Sequence, residues 1–161
     1  MNTKLNQTSI KADAEVPLIH IRRDFHASPE QLMRCHLERE LFARWIGPAS
    51  LSTRIDYWDA RTGGSWRYVA SRDGEEFAFH GCFHTVGPTK IVQTFTWEGQ
   101  PDDVALETVE FTDLGNGMTR LHARSLSESF AVRDSWMSSG METGVNEGYA
   151  ELERLLSNGI S

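Results

Sequence analysis

The sequence has few cysteines, no long apolar run and no excess of positive charge. Its two cysteines, Cys35 and Cys82, fit neither a disulfide framework nor the paired spacing of a zinc knuckle. A reducing, cytoplasmic compartment is therefore the default expectation. Because no apolar run could span a bilayer and no signal-peptide pattern opens the chain, we expect no membrane insertion. The formal net charge of −7 argues against nucleic acid or an anionic membrane as the main partner.

The sequence also lacks the short motifs that identify several enzyme classes. It contains no G-x-S-x-G segment, no P-loop and no G-x-G-x-x-G segment. Internal repeats and low-complexity segments are missing as well. The composition is that of an ordinary globular protein, with 39% hydrophobic and 24% charged residues among 161, which is enough for one domain with a sizeable core.

Local patterns divide the chain into a tail and one domain. Residues 1–14 are polar and aperiodic, which predicts a disordered, mobile tail. Residues 15–158 are predicted to form a single domain. Its first strand is predicted over residues 16–25, where apolar and polar residues alternate weakly.

Two short helices are predicted after the first strand. Ser28 is a good N-cap, Pro29 suits the first helical position, and Gln31 completes a capping-box pattern. This helix should run to about His36. A second helix is predicted over residues 38–45 and is ended by the Gly-Pro pair that follows.

Six strands are predicted next, joined by turns that are mostly rich in glycine. They cover residues 51–60, 65–71, 76–86, 90–98, 106–112 and 119–127. Short strands joined by tight turns indicate an antiparallel meander, with one face buried and the other in water.

The last stretch, residues 132–156, is predicted as one long helix. Its apolar residues recur at helical spacing on one face: Met137, Met141, Val145, Leu152 and Leu155. Three glycines are four residues apart and share one side: Gly140, Gly144 and Gly148. Because glycine in a helix costs about 1 kcal/mol relative to alanine, we expect either a tightly packed sheet or an open space beside them.

The order of these elements predicts the fold class. A strand, two short helices, six strands and a long helix indicate an α+β domain. The long C-terminal helix should cover the buried face of an antiparallel sheet that curls around it.

Several segments, taken in order, resemble one protein family. Residues 43–48 (ARWIGP) and 59–67 (DARTGGSWR) are similar to two signatures of the activator-of-heat-shock-protein-90-ATPase homologue (Aha-type) family. Its later signatures resemble Gly81, residues 86–88 (VGP) with Ile91, and residues 140–147 (GMETGVNE) with Leu152. The resemblance covers roughly residues 16–157. Ile46 stands where the family often has a second tryptophan, and Thr62 stands where it usually has proline.

The resemblance implies the helix-grip fold of the START-like, or SRPBCC, superfamily, which includes polyketide cyclases and birch-pollen-allergen-like proteins. Members of this superfamily bind hydrophobic small molecules in a cavity between the sheet and the long helix, and some are cyclases or aromatases. The eukaryotic namesake stimulates a chaperone ATPase and carries a separate N-terminal domain for that role. This chain has no room for such a domain, so the cochaperone interpretation loses weight.

Aromatic residues on the predicted inner face are candidates for the walls of such a cavity. The alternative is a core that these side chains fill completely. The resemblance favours a cavity, and we expect these residues to bind the ligand: Trp66, Tyr68, Phe79, Phe95, Trp97, Phe111, Trp136, Met137, Gly140, Met141, Gly144 and Val145.

One strand carries a pattern that could bind zinc. His80, Cys82 and His84 alternate and therefore share a face of the strand. Phe79 and Phe83 alternate with them and should occupy the buried face, which turns the possible ligands outward. No fourth ligand is evident, so we expect no metal and no cofactor.

The function predicted from the sequence is the binding of a small, mostly apolar ligand. A cyclase or hydrolase using the same cavity is an alternative, with Tyr68, Gln93 or His122 as acid or base. A protein-interaction module without a cavity is another. We favour a binding protein over an enzyme, assign no catalytic residue, and leave a homodimer open.

Overall fold

The structure, a computed structural model, describes residues 7–160. Its elements follow the predicted order, apart from an additional first strand and a break in the last helix, and the predicted α+β class is confirmed. In chain order they are β1 (Ser9–Ala12), β2 (Leu18–Phe25), α1 (Pro29–Leu37), α2 (Arg39–Ala43), β3 (Ser52–Trp58), β4 (Ser65–Arg72), β5 (Glu75–Val86), β6 (Lys90–Trp97), β7 (Ala105–Gly115), β8 (Met118–Leu126), α3 (Phe130–Ser138) and α4 (Met141–Ser157).

The strands form one antiparallel sheet in the order β1-β2-β8-β7-β6-β5-β4-β3. Strands β3 to β8 are the predicted meander, and β2 joins it by pairing with β8, where Phe25 lies opposite Thr119. Helix α4 packs against the inner face of this curved sheet. Its Leu152 is fully buried, and its Tyr149 meets the ring of Phe25 edge-on, with 5.7 Å between centroids. The sheet therefore wraps around the C-terminal helix.

Helix α1 begins as its sequence predicts. The Ser28 hydroxyl accepts a hydrogen bond from the Gln31 backbone N–H at 3.1 Å, and the Gln31 side chain accepts one from the Ser28 N–H at 2.9 Å. This capping box satisfies two backbone donors at the start of the helix. Leu32 and Cys35 are fully buried, so α1 is anchored in the hydrophobic core.

The predicted tail is wrong for residues 9–12, which form β1. This strand pairs with the outer edge of β2, with Ile10 opposite Ile21. The turn that follows is held by the Asp13 carboxylate, which accepts hydrogen bonds from the N–H groups of Glu15 and Val16. A short edge strand is held mainly by backbone pairing, which an aperiodic polar sequence does not reveal. Residues 1–6 of the predicted tail lie outside the described residues.

The predicted single helix over residues 132–156 is in fact two helices. Gly140 takes the left-handed conformation, with φ of 87°, between α3 and α4. Glycine adopts this conformation without steric cost, whereas other residues rarely do. The apolar spacing continues across the break, because both helices pack on the same core.

Helix α3 is fixed to the start of the sheet by a buried arginine. The Arg133 guanidinium donates hydrogen bonds to the backbone carbonyls of Asp13 at 2.9 Å and Leu18 at 2.8 Å.

Within residues 7–160, no helix combines the length and the apolar character that crossing a membrane requires.

Candidate ligand-binding cavity

A cavity of about 330 Å³ lies between the inner face of the sheet and the two C-terminal helices. Its lining comes from β2, from α1, α2 and the loop after α2, from strands β3 to β8, and from α3 and α4. Its volume falls at the lower end of the range usual for small-molecule sites, about 300 to 1,000 Å³. The side chains on the inner face therefore leave a space between them instead of filling it.

Aromatic rings form a continuous wall along one side of this cavity. Trp66 stacks on Tyr68 with 5.5 Å between ring centroids, and Tyr68 stacks on Phe79 at 5.2 Å. Phe79 and Phe95 are 5.4 Å apart, and Trp136 of α3 meets Phe95 edge-on at 6.0 Å. All five were predicted to bind the ligand, and all five line the cavity. Strand alternation placed four of them correctly on the inner face.

Helix α4 forms the side of the cavity opposite the sheet. Met141, Gly144 and Val145 line it, as the helical spacing predicted. The glycine side of α4 does not face the sheet, however. A Cβ built on Gly144 would meet the Pro48 ring at 3.4 Å, and one built on Gly148 would meet the Trp45 carbonyl oxygen at 3.0 Å. The glycines therefore let the loop after α2 approach the helix closely.

Four of the predicted ligand-binding residues do not line the cavity. Trp97 shares the inner face with Phe79 but lies at the end of β6, where its indole packs against Gly99. Phe111 is buried in the core with its ring 5.1 Å from that of His36. The other two are Met137, which packs against the core, and Gly140, which separates α3 from α4. Strand and helix periodicity identify the face of a residue but not its position along the element.

Several residues that line the cavity were not predicted, because they precede the strands and the long helix from which the candidates came. Helix α2 contributes Phe42, the loop after it contributes Trp45, and the end of β3 contributes Trp58. The indole N–H of Trp45 donates to the Cys35 carbonyl at 2.9 Å, and that of Trp58 donates to the Leu37 carbonyl at 2.6 Å. These hydrogen bonds fix the positions of the two indoles, which both line the cavity. Of these residues, Trp45 could have been found from the sequence, because it lies in the 43–48 segment that resembles the family.

The most consequential missed residue is Glu107, which lines the cavity from β7. Its carboxylate accepts a hydrogen bond from the Gln93 side chain at 3.3 Å, and Ser125 lies opposite it in the sheet. Burial raises the pKa of Glu107, and hydrogen bonds from Gln93 and Ser125 oppose the rise. The signal was present in the sequence, since Glu107 is four residues from Phe111 and so on the same face of the strand.

Besides their burial, the carboxylate of Glu107 also raises the pKa of two tyrosines, Tyr68 and Tyr149. Burial raises the pKa of Tyr68, and the negative charge of Glu107 raises it further. The same two causes raise the pKa of Tyr149, and Arg23 lowers it. Both tyrosines line the cavity and stay protonated near neutral pH. The polar part of the lining is therefore built around one acidic group.

His36 also lines the cavity, from α1. Burial lowers the pKa of His36 to about 4, although the hydrogen bond between its Nδ1 and the Leu32 carbonyl, at 2.7 Å, acts in the opposite direction. The imidazole is therefore neutral at physiological pH, with its Nδ1 proton donated to Leu32.

The histidines on the strands of the sheet lie on its outer face. His80, Cys82 and His84 point outward as their alternation with Phe83 predicted, and His80 contacts the Glu98 carboxylate at 3.0 Å. Across the described residues, no group of three or more His, Cys, Asp or Glu side chains is arranged to hold a metal ion.

His122 was an acid–base candidate for the cavity, and this prediction is wrong. Its Nε2 lies 3.2 Å from Nδ1 of His20 on the outer face, and His20 in turn contacts the Asp13 carboxylate at 3.0 Å. Burial lowers the pKa of His122, with further contributions from Arg22 and Arg124. Period-two alternation from Leu121, which is fully buried, would have placed His122 outside.

A curved antiparallel sheet that wraps a C-terminal helix and encloses a cavity defines a helix-grip protein of the START-like, or SRPBCC, class. The family model described as Activator of Hsp90 ATPase homolog 1-like protein matches residues 26–157. The chain therefore belongs to this family, which confirms the resemblance seen in the sequence. A search of the curated proteins found no match.

Solved structures with the same fold come from several bacteria. Protein Ms6760 from Mycobacterium smegmatis is 20% identical, with a TM-score of 0.85 over 96% of this chain and 100% of its own. A protein from Arthrobacter aurescens is 23% identical, with a TM-score of 0.85 over 95% of this chain and 93% of its own. The AHSA1 protein from Silicibacter pomeroyi is 20% identical, with a TM-score of 0.71 over 88% of this chain and 98% of its own. Identities this low show a shared fold.

Proposed function

We propose that the protein binds a small, mostly apolar molecule in the cavity between the sheet and α4. The observation that carries this proposal is the cavity of about 330 Å³ with its continuous aromatic wall. Removing apolar ligand surface from water would supply most of the affinity, at about 25 cal/mol per Å² before the costs of ordering are subtracted. Met141 suits such a wall because its unbranched side chain can repack around different ligands.

The acid–base residues proposed for an enzyme fit the cavity less well. Tyr68 has a raised pKa and is a poor proton donor near neutral pH, and Gln93 does not titrate. Among residues 7–160, Glu107 is the one carboxyl group of the lining, and burial raises its pKa, which is the direction that favours a general acid and so supports the cyclase or hydrolase alternative. Recovery of a bound compound and its mass after prolonged incubation separates the two, since an enzyme would return an altered mass.

The test of binding uses a neutral, environment-sensitive dye, N-phenylnaphthylamine. Its fluorescence should rise on binding the wild-type protein. Met141→Trp should weaken binding by about tenfold or more, because the larger side chain occupies the space next to α4. Met137→Trp is the matched control, since Met137 lies in the preceding helix and does not line the cavity.

Two results would contradict the proposal. Absence of a fluorescence rise with wild-type protein would favour an interaction module in which the cavity has no ligand. Equal binding by the two tryptophan variants would place the dye elsewhere. A cytoplasmic location and a homodimer stay predictions, and the proposal requires neither.

A further inference from the structure

We propose that the ligand is an organic amine whose protonated nitrogen pairs with the Glu107 carboxylate while its apolar body lies against the aromatic wall. This inference rests on the proposed function, because it concerns the same cavity. It goes beyond that function in naming the chemical class of the ligand and the residue that selects it.

The position of Glu107 is the first argument. The residue lies on the inner face of β7, directly opposite Gln93 on β6 and Ser125 on β8. The Gln93 amide nitrogen donates to Glu107 Oε1 at 3.3 Å. Neighbours on both adjacent strands therefore hold the carboxylate in place, and the carboxylate forms part of the cavity lining. Its outward-facing neighbour Leu106 is 45% exposed, so at this point the strand reverses the usual arrangement of charge outside and apolar side chain inside.

The second argument is the unmatched charge. A carboxylate among aromatic rings is unfavourable unless an opposite charge or several hydrogen bonds compensate it. The partners within the protein are neutral, a side-chain amide and a hydroxyl. A protonated amine would supply the opposite charge. The rings of Tyr68 and Phe79 would add to its binding, because the face of an aromatic ring attracts a cation.

The other ionisable side chains of the lining do not favour an anion. His36 is neutral at physiological pH, and the two tyrosines are protonated. Arg124 touches the lining, but its guanidinium donates to the Glu110 carboxylate at 3.2 Å on the outer face. Arg23 is buried outside the lining and donates to the Thr8 hydroxyl. Within residues 7–160, Glu107 is therefore the one acidic side chain of the lining, and the groups that donate hydrogen bonds to it are neutral.

The experiment compares three probes with the same ring system and different charges: naphthylmethylamine, naphthylmethanol and naphthoate. Calorimetric titration of the wild-type protein should give the tightest binding for the amine and the weakest for the carboxylate. The ammonium group pairs with the carboxylate as an ion, whereas the alcohol does not. We therefore expect the amine to bind about 10- to 100-fold more tightly than the alcohol. The alcohol also donates a hydrogen bond, so this preference reports the charge.

A matched pair of variants assigns the preference to one residue. Glu107→Gln should abolish the difference between amine and alcohol while leaving the affinity for the alcohol within about twofold, since the shape of the cavity is kept. Glu75→Gln removes the same charge from an exposed position on β5, and should leave the preference unchanged. Cooperative thermal unfolding of both variants establishes that they fold.

Three outcomes would overturn the inference. The wild-type protein could bind the alcohol or the carboxylate as tightly as the amine, a result that needs no variant. Glu75→Gln could lower the preference as much as Glu107→Gln, which would make the preference an effect of overall charge. If neither the three probes nor N-phenylnaphthylamine binds, the proposed function fails and the inference fails with it; binding of the dye together with unselective probes rejects the amine alone.

Discussion

At the scale of single residues, Gly144 and Gly148 face the same loop with different clearance. A Cβ at Gly148 would lie 3.0 Å from the Trp45 carbonyl oxygen, whereas one at Gly144 would lie 3.4 Å from a Pro48 side-chain carbon. Alanine gains about 1 kcal/mol over glycine within a helix. We expect Gly144→Ala to raise the free energy of unfolding by up to about 1 kcal/mol, because ordinary contact replaces open space.

Gly148→Ala should instead lower the free energy of unfolding, by about 1–2 kcal/mol, since a backbone carbonyl cannot rotate away from the added methyl group. Urea denaturation of the two variants beside the wild type measures both changes. Equal stabilisation by the two substitutions would show that the loop does not restrict α4 at Gly148.

His36 gives a prediction for the pH dependence of stability. Burial lowers its pKa from 6.5 to about 4 in the folded protein. Between these values the unfolded chain binds more protons than the folded one, so the free energy of unfolding falls as the pH falls. His36 contributes its full share above about pH 6.5, and up to about 3 kcal/mol of it is lost by pH 4.

His36→Gln removes the titrating group while keeping a polar side chain. The stability difference between wild type and variant should therefore shrink as the pH is lowered from 7 to 4, which urea denaturation at several pH values measures. Parallel pH profiles for the two proteins would mean that His36 is solvated in the folded state.

Sequence periodicity predicted part of the candidate site and missed the rest for a physical reason. Alternation placed Trp66 and Tyr68 inside, because the face of a strand residue follows from its parity. It also selected Trp97 and Phe111, which share the inner face but lie beyond the cavity. The carboxylate of Glu107 was missed because a search for aromatic residues passes over a charge, even one whose parity matches that of Phe111.

At the scale of elements, the break between α3 and α4 depends on Gly140. This residue has φ of 87°, and no atom lies within 4 Å of a Cβ built on it. A side chain at this position would therefore destabilise the fold through backbone strain and not through a steric clash. We expect Gly140→Ala to lower the free energy of unfolding by about 1–2 kcal/mol, as is usual for a left-handed residue with a Cβ.

Gly140→Asn is the matched control for this prediction, because asparagine tolerates the left-handed conformation better than alanine. It should cost clearly less than Gly140→Ala in the same urea denaturation series. Equal losses would point to a cause other than backbone conformation. The break itself could not be read from the apolar spacing, since Met137 and Met141 keep helical spacing across it.

At the scale of the whole molecule, the fold was predictable because two kinds of signal agreed. Capping at Ser28 and the alternation of the strands gave the element order, and the family resemblance gave their arrangement around the C-terminal helix. The pairing of β1 with β2 needed tertiary information. The cavity itself did too, because its existence depends on how closely side chains from the helices and the sheet approach each other.

The arrangement of the lining around the whole domain leads to a prediction for ligand-linked stability. Strands from both ends of the chain, the loop after α2 and helix α4 all contribute to the cavity. Unfolding therefore disassembles the site. A ligand that binds only the folded protein should raise the free energy of unfolding by about 2.7 kcal/mol when its free concentration is 100 times its Kd.

N-phenylnaphthylamine at that ratio should shift the whole urea transition to higher urea without changing its slope, because the surface exposed on unfolding stays the same. The shift should be much smaller for Met141→Trp, which occupies the cavity, and close to the wild-type shift for Met137→Trp. A dye that changes the slope, or stabilises both variants equally, would be binding to the surface or to a partly unfolded form. In that case the elements around the cavity would not be linked through a common ligand.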